Sequence, residues 1–457
     1  MTPTTPMHPP APSADRSRRQ LASVALAVAL ATSGVLPVFL TGALSVQIEV
    51  GLHVGTTAIG GAVATYFAAS ALSSVRAGRL AERVGPFKVM LVAVGLAAFA
   101  LLGIGLMANS VYVLLAFLVA GGVSNGAMQP AVNLLLARAV DEHRQGLAFG
   151  IKQAAIPSAT LLSGLAVPAL ALTAGWHAAY LAAAGLALVV GAALVFGGRR
   201  LMPAPAATGV PARAAGDAGL LGRGREAGGP GGTFDLRLLV FLAAAMACGV
   251  AAANSLGSFV VAGAVHDGVA PGLAGVLSAA GSVVGLSARV GFGWRADRTG
   301  LRGRRAANAH LETVAVLIAV GALGYGMLAF GNVVLLVPAV LIAYGGGWGY
   351  NGLFNLAVVR AYPENPGRAT GVAQVGTYIG GMVGPITFGI VADHLGFNVG
   401  WGLCAGLAVL AVTAFSLSRR SLGANPVTDA RRDGALLEAS EEASEGPSPP
   451  SPTWTGA

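Results

Sequence analysis

The sequence contains little charge and almost no cysteine. Only 10% of its 457 residues are Asp, Glu, Lys or Arg, whereas an average soluble domain carries about 25%. The two cysteines, Cys248 and Cys404, each lie inside an apolar run, which excludes a disulfide framework and a cysteine-based metal set. With 55% hydrophobic residues and a mean hydropathy of +0.71, the composition argues against a soluble enzyme, a disordered scaffold and a secreted disulfide protein.

In place of charge, the sequence has long apolar stretches. A membrane helix needs about 20 mainly apolar residues. Nine stretches without Asp, Glu, Lys or Arg reach this length: 20–48, 50–75, 89–137, 153–198, 238–266, 268–288, 313–359, 369–392 and 394–418. Three are of double length and are predicted to break at Asn109–Ser110, Gly175–Trp176 and Gly331–Asn332. The sequence therefore predicts an all-α membrane protein with twelve transmembrane helices, because barrel strands would be about 10 residues long and alternating.

The positions of Lys and Arg predict the orientation of these spans. Cytoplasmic loops of membrane proteins collect Lys and Arg. If residue 1 is inside, 27 of the 28 Lys and Arg residues fall in cytoplasmic segments, and the remaining one is Lys152. We therefore expect both termini to be cytoplasmic. The excess of Arg over Lys, with abundant Ala and Gly, indicates a bacterial origin and hence a multi-pass protein of the plasma (inner) membrane. The net charge of +9 then sets topology and does not indicate a nucleic-acid partner.

Composition divides the chain into five segments. Residues 1–20 and 419–457 are polar and are predicted to be disordered cytoplasmic ends. Residues 199–235 are rich in Gly, Ala, Pro and Arg and are predicted to be a flexible cytoplasmic linker. This linker separates an N-terminal bundle of six helices, 21–198, from a C-terminal bundle of six helices, 236–418.

The two bundles resemble each other in sequence. A shift of 222 residues places Asn133 on Asn355, and a shift of 221 places Gln153 on Gln374. A shift of 215 aligns the loop after the second predicted span with the loop after the eighth, so that Arg83 falls on Arg298. Similar offsets at three places indicate a duplicated unit. Because six spans is an even number, the copies face the same way and form two pseudo-symmetric bundles about an axis along the membrane normal.

The loop after the second span carries the residues Gly-Arg-Leu-Ala-Glu-Arg-Val-Gly-Pro-Phe-Lys, 78–88. It resembles the loop signature of the major facilitator superfamily, and residues 293–300 are similar to the weaker echo of that signature in the second half. The resemblance implies a transporter whose halves rock about a central site by alternating access, with the loops steadying the outward-facing state. The gating residues implied are Gly78, Glu82, Arg83, Gly85, Gly293, Asp297 and Arg298. The alternative is that these charges only anchor the topology.

Polar side chains within the spans are the candidates for a solute site. Lys152 lies near the start of the fifth span, where it either faces a cavity or snorkels to the cytoplasmic surface. Asn125, Gln129 and Asn133 follow at intervals of four residues and are predicted to share one face of the fourth span, and Trp348, Asn351 and Asn355 are predicted to share one face of the tenth. Lipid-facing amides would be unpaired, so these polar stripes are expected to face protein or water. The candidate substrate-binding residues are Lys152, Gln153, Asn125, Gln129, Asn133, Asn254, Trp348, Asn351, Asn355, Gln374 and Tyr378. The alternative role of the amides is hydrogen bonding between helices.

The chemistry of these residues favours an anionic or polar solute. No carboxylate and no histidine lies deep in a predicted span, although proton relays usually use such groups. The sequence predicts a secondary transporter for a small polar or anionic organic solute, with a drug or metabolite exporter of the same fold as the alternative. The fourth span lacks the Arg, and the fifth the Gly-Pro pattern, that proton-coupled drug exporters of this family carry. We expect no enzyme activity, no cofactor, no metal and no nucleic-acid partner. The expected partners are the bilayer, the solute and a possible coupling ion, and the chain is expected to be a monomer.

Overall fold

The computed structural model describes residues 14–140, 148, 150–198, 236–298, 301, 303–362 and 366–423. Within these ranges the regular secondary structure is helical, and twelve helices are long and apolar enough to cross a membrane. We number them in chain order. They are α1 (Ala14–Ala43), α2 (Thr56–Val84), α3 (Pro86–Met107), α4 (Val111–Ala139), α5 (Gly150–Ala174), α6 (Trp176–Gly198), α7 (Leu236–His266), α8 (Pro271–Arg298), α9 (Gly303–Ala329), α10 (Val333–Ala361), α11 (Pro366–Leu395) and α12 (Phe397–Gly423).

The twelve predicted helices are confirmed, and so are the three breaks inside the double-length stretches. The chain turns between Met107 and Val111, at Gly175, and between Ala329 and Val333. Gly175 and Gly331 have φ values of 85° and 61°. Glycine adopts such positive φ angles without the steric penalty of a Cβ atom, which explains why the breaks fall there.

The predicted segment limits need adjustment at both ends of the chain. Helix α1 begins at Ala14, inside the segment predicted to be disordered, and α12 continues to Gly423, past the predicted end at 418. Residues 14–20 contain neither Gly nor Pro, so nothing in them breaks the helix. Arg419 is fixed by a 2.6 Å ion pair with Glu312 of α9. The predicted linker 199–235 lies outside the described residues, as do residues 1–13 and 424–457.

Each half packs its six helices in the same order. In the N-terminal half, α4 packs against α2 and α3, α6 packs against α3, and α5 packs against α1. In the C-terminal half, the equivalent pairs are α10 with α8 and α9, α12 with α9, and α11 with α7. The two halves therefore share one arrangement of helices, as expected from the repeat in the sequence.

The halves meet along three helix pairs: α2 with α11, α5 with α8, and α1 with α7. We call the side of the bundle where α1 begins and α12 ends the terminal end, and the other side the opposite end. Small residues allow close approach: a Cβ atom on Gly164 of α5 would lie 2.7 Å from the carbonyl oxygen of Gly275 on α8. A short helix, Ser45–Leu52, joins α1 to α2 at the opposite end.

Two helices at the centre of the bundle are irregular. Helix α5 has a turn at Gln153–Ala154 near its start and a π-helical stretch at Val167–Ala171. Helix α10 is interrupted at Tyr350, between the helical segments Val333–Gly349 and Asn351–Ala361. Such breaks leave backbone carbonyls without their usual helical donors, and the site described next uses two of them.

Candidate functional site

Lys152 points into the N-terminal half. Its side chain is only 7% exposed, and its Nζ donates a hydrogen bond to Oε1 of Gln129 on α4. A snorkelling lysine would place its ammonium group in water at the terminal end. The structure instead places it against an amide between two helices.

Gln129 is the second member of a chain of hydrogen bonds. Its Nε2 donates to Oδ1 of Asn125 at 3.1 Å, and Nδ2 of Asn125 donates to Oγ of Ser70 on α2 at 3.2 Å. Ser70 Oγ in turn donates to the carbonyl oxygen of Gly122 at 2.9 Å. We call Lys152, Gln129, Asn125 and Ser70 the polar chain. Each residue of the polar chain donates to the next residue farther from Lys152, and the polar chain contains no carboxylate. It therefore solvates the ammonium charge of Lys152 without neutralising it.

Arg289 is a second buried cation, which the sequence pattern does not indicate. The pattern ends the eighth span at residue 288, but α8 continues past Arg289 to Arg298 and the side chain of Arg289 is 7% exposed. Its Nε donates to the carbonyl oxygen of Trp348 at 2.9 Å, and its Nη1 donates to the carbonyl oxygen of Gln153 at 2.8 Å. The second bond crosses from the C-terminal half to the N-terminal half.

Both carbonyls are free to accept because their helices are broken. Pro157 has no N–H, so the helical bond that would run from residue 157 to the Gln153 oxygen cannot form. Trp348 lies in the last turn of the helical segment that ends at Gly349, where carbonyls lack a donor within the segment. Arg289 thus joins one helix break from each half, and Pro157 was the sequence signal for one of them.

Trp348 lies at the boundary between the halves. It is 1% exposed, and its Nε1 donates to the carbonyl oxygen of Ala253 on α7 at 2.5 Å. Its ring centroid is 5.7 Å from that of Phe39 on α1, and Cζ of Arg289 is 5.7 Å from its ring centroid. This indole therefore packs against both halves and against the buried guanidinium.

The other predicted solute residues are only partly brought together. Trp348 lies in the helical segment that ends at Gly349, and Asn351 begins the next segment after Tyr350. The polar face predicted for these two residues and Asn355 stays a prediction. Asn254 is buried, with Nδ2 beside Gly381 of α11. Gln153, Asn351, Asn355 and Tyr378 are half-buried, whereas Asn133 and Gln374 are exposed.

The predicted gating residues lie at the terminal end. Gly85, with a φ of 91°, forms the turn between α2 and α3, where Glu82 is half-buried and Arg83 is exposed. In the second half, the Cζ of Arg298 lies 3.6 Å from the ring centroid of Trp294. Gly78 and Gly293 are half-buried, and the side chain of Asp297 lies outside the described residues. The gating role of these seven residues stays a prediction.

A carboxylate joins the halves at the opposite end. Asp393, near the end of α11, accepts hydrogen bonds from the backbone N–H groups of Thr56 and Thr57 at 3.0 and 2.7 Å. These N–H groups begin α2, where the helix dipole favours negative charge. Glu49, on the short connecting helix, lies close by. Burial raises its pKa from 4.5 to about 7; the hydrogen bond with Thr56 lowers it, and the charge of Asp393 raises it.

Comparison with known proteins gives the family. The chain matches the Major Facilitator Superfamily over residues 21–373. An uncharacterized MFS-type transporter of Mycobacterium tuberculosis (strain ATCC 25618 / H37Rv) is 32% identical over 126 residues, which are 28% of this chain and 22% of that protein. This chain therefore matches about a fifth of the length of that relative.

The fold has a counterpart among solved structures. It is similar to a bacterial homolog of the human lysosomal transporter Spinster, solved in an inward-facing and unoccupied conformation. The TM-score is 0.65 with 15% sequence identity, and the match covers 90% of this chain and 98% of the other. Since the family match spans most of the sequence and all twelve helices are in place, this chain belongs to the Major Facilitator Superfamily of membrane transporters.

Proposed function

We propose that this protein is a secondary transporter that carries a small organic anion across the bacterial plasma membrane by alternating access. The observation that supports the anion is the pair of buried cations, Lys152 and Arg289, whose hydrogen bonds all go to neutral oxygens. Within the described residues neither cation has a carboxylate partner. The membrane-embedded pair is the kind of group that marks a substrate pathway.

A bound anion would compensate the charge of the two buried cations. A buried cation that has only neutral partners keeps part of its desolvation cost, and a bound anion would remove that cost. Gln153 follows Lys152 in the chain, and its carbonyl oxygen accepts from Arg289, so the two cations lie on facing stretches of α5 and α8. A carboxylate or phosphate group bound there would accept charge-assisted hydrogen bonds from both halves.

Alternating access requires contacts between the halves that close one end of the protein while the other end is open. The bond from Arg289 to the Gln153 carbonyl, which we call the terminal latch, joins the halves toward the terminal end. The bonds from Thr56 and Thr57 to Asp393, which we call the opposite latch, join them at the other end. In the proposed cycle one latch opens while the other stays formed. An anion beside Lys152 competes with the Gln153 carbonyl for Arg289, which couples occupancy to opening of the terminal latch.

The orientation follows from the distribution of Lys and Arg, which predicts that the terminal end faces the cytoplasm. The terminal latch then controls access from the cytoplasm, and the opposite latch controls access from outside. The alternative function is a drug or metabolite exporter of the same fold. Export of lipophilic cations would be served by buried carboxylates near the polar chain, and among the described residues no buried carboxylate lies there.

A thermal-shift screen tests the proposal. The purified protein and its Lys152→Ala variant are heated with a panel of small organic anions and a panel of lipophilic cations. A ligand present at 100 times its Kd stabilises the folded state by about 2.7 kcal/mol. We expect at least one anion to raise the melting temperature of the wild type and to lose this effect in the variant. Equal stabilisation of both proteins by cations would favour the exporter.

A further inference from the structure

A groove lies on the flank of the N-terminal half, between α2 and α3, with α4 beside both. Its volume is about 720 Å³, within the range of about 300–1,000 Å³ typical of sites for drug-sized ligands. Aliphatic side chains form most of its wall; they include Leu72, Val92 and Val123. Leu72 is 79% exposed and Val92 is 69% exposed, so the groove opens sideways, toward lipid.

The charged residues of this groove lie in its half toward the terminal end. Of the described residues that line it, only Arg76 and Lys88 are charged, and both are cations. Arg76 lies on α2 toward the terminal end, and Lys88 lies in the first turn of α3, which begins at that end. Both residues are exposed. The groove therefore combines a long apolar wall with a cationic rim.

One part of the groove has the length of one leaflet. Helix α2 begins at Thr56 at the opposite end and lines the groove from Thr65 to Val84, with Arg76 between them. The eleven residues from Thr65 to Arg76 rise about 16 Å at 1.5 Å per residue of α-helix, which is close to half of the roughly 30 Å hydrocarbon core of a bilayer. Thr65 then lies near the bilayer midplane, and Arg76 lies at the level of the head groups on the terminal side.

We propose that this groove binds one anionic phospholipid, with an acyl chain along Leu72, Val92 and Val123 and the phosphate between Arg76 and Lys88. The apolar wall contributes through burial of acyl surface. The rim contributes through the attraction of basic residues for anionic head groups, and basic pockets between helices on the cytoplasmic side are known to select such lipids. A free phosphate ion would gain nothing from the wall, and a zwitterionic lipid would gain little from the rim.

The groove is separate from the proposed solute site. Within α2, Ser70 is bonded to Asn125 as part of the polar chain, and Phe67 faces Gly381 of α11. Thr65, Leu72 and Arg76 line the groove on another side of the same helix. Lipid binding in this groove therefore does not depend on whether the protein transports an anion.

Native mass spectrometry of the full-length protein, released from nanodiscs of phosphatidylglycerol and phosphatidylcholine in equal amounts, tests the proposal. We expect one retained phosphatidylglycerol on the wild type. Each cation near the surface contributes about fivefold to binding, so Arg76→Gln with Lys88→Gln should reduce the preference for phosphatidylglycerol by about 30-fold. Leu72→Trp, which fills the groove without changing charge, should reduce retention of both lipids.

The matched control removes two exposed arginines from the terminal end of the other half, Arg237→Gln with Arg305→Gln. It should keep the retained lipid. Equal loss in the control would show that basic residues anywhere at this end attract anionic lipid and would overturn the proposal. The proposal would also be overturned if Arg76→Gln with Lys88→Gln and Leu72→Trp both left lipid retention unchanged. Displacement of the lipid by millimolar inorganic phosphate would overturn it as well.

Discussion

The Nη1 atom of Arg289 lies 2.8 Å from the carbonyl oxygen of Gln153, so a cation from one half completes a hydrogen bond that Pro157 leaves open in the other half. A proline in α5 and an arginine in α8 thus form one interdomain contact. Neither residue suggests such a contact when considered alone. The terminal latch therefore depends on the missing backbone N–H of Pro157.

Pro157→Ala should weaken the terminal latch. Alanine restores the N–H that can bond the Gln153 oxygen within the helix, which removes an acceptor from Arg289. Loss of a hydrogen bond that involves a charged donor costs about 1.5–3 kcal/mol, so the terminal end should open at least 10-fold more often. Double electron–electron resonance between spin labels at residues 150 and 295 would show a larger population of molecules with a long distance between the labels.

Pro168→Ala is the matched control for this variant, because Pro168 lies on the same helix but is not four residues from Gln153. It should leave the distance distribution unchanged. The latch is refuted if Pro157→Ala and Pro168→Ala give the same distribution as the wild type, or if both change it equally.

Gln129→Glu should stabilise the protein and abolish anion binding. The new carboxylate would lie against Nζ of Lys152 and supply the counter-charge that we assign to the solute. Gln129→Leu removes the acceptor and leaves the ammonium group without a partner, which should destabilise the fold by about 1–3 kcal/mol or more. Melting curves with and without the anion separate these effects. Anion binding that survives Gln129→Glu would contradict our assignment of Lys152.

The polar chain could be predicted only in part from the sequence. The spacing of Asn125 and Gln129 predicted a shared face, and the structure joins them through a direct hydrogen bond. The same spacing included Asn133, which is exposed. Periodicity assigns residues to a face of a helix, but it does not say where along that face the neighbouring helix ends.

Arg289 shows why part of the site was missed. Each predicted span ends at the first charged residue, so the eighth predicted span stops at 288. Helix α8 in fact keeps this arginine buried, because carbonyls at two helix breaks solvate it. The helices themselves were predictable because hydrophobic length and glycine breaks are local properties. The burial of a cation by carbonyls from distant helices depends on tertiary packing, which local patterns do not contain.

Asp393→Asn should favour opening at the opposite end. The amide keeps one acceptor oxygen, so it can accept from Thr56 or from Thr57 but no longer bonds each through its own oxygen, and it loses the negative charge that the start of α2 attracts. A capping charge contributes about 0.5–2 kcal/mol, so the open population should rise about 2- to 30-fold. Spin labels at residues 112 and 395, both exposed at this end, would report the change. An unchanged distance distribution would show that Asp393 does not hold the halves together.

Glu49 should make the opposite latch sensitive to pH. Burial raises its pKa from 4.5 to about 7 in this closed arrangement, and opening would expose the carboxyl and return its pKa toward 4.5. Opening then releases a proton between about pH 4.5 and 7. The closed arrangement is therefore most stable at low pH, loses stability as the pH rises through this window, and changes little above it.

Measurement of the distance between residues 112 and 395 at several pH values tests this expectation. Glu49→Gln should abolish the pH dependence and keep the end closed. His53, His266 and His394 also lie at this end. A pH dependence that survives Glu49→Gln would belong to other groups at this end, and our assignment to Glu49 would fail.

The most direct test of the central claim is exchange of radiolabelled organic anions across proteoliposomes that contain the wild type, Lys152→Gln or Arg237→Gln. Lys152 is the buried cation to which we assign the solute, whereas Arg237 is an exposed cation on the other half. Loss of a charged hydrogen bond corresponds to a factor of about 10–100. We expect exchange to fall at least 10-fold in Lys152→Gln and to stay at the wild-type rate in Arg237→Gln. Exchange of anions at equal rates by all three proteins, or exchange of lipophilic cations alone, would contradict it.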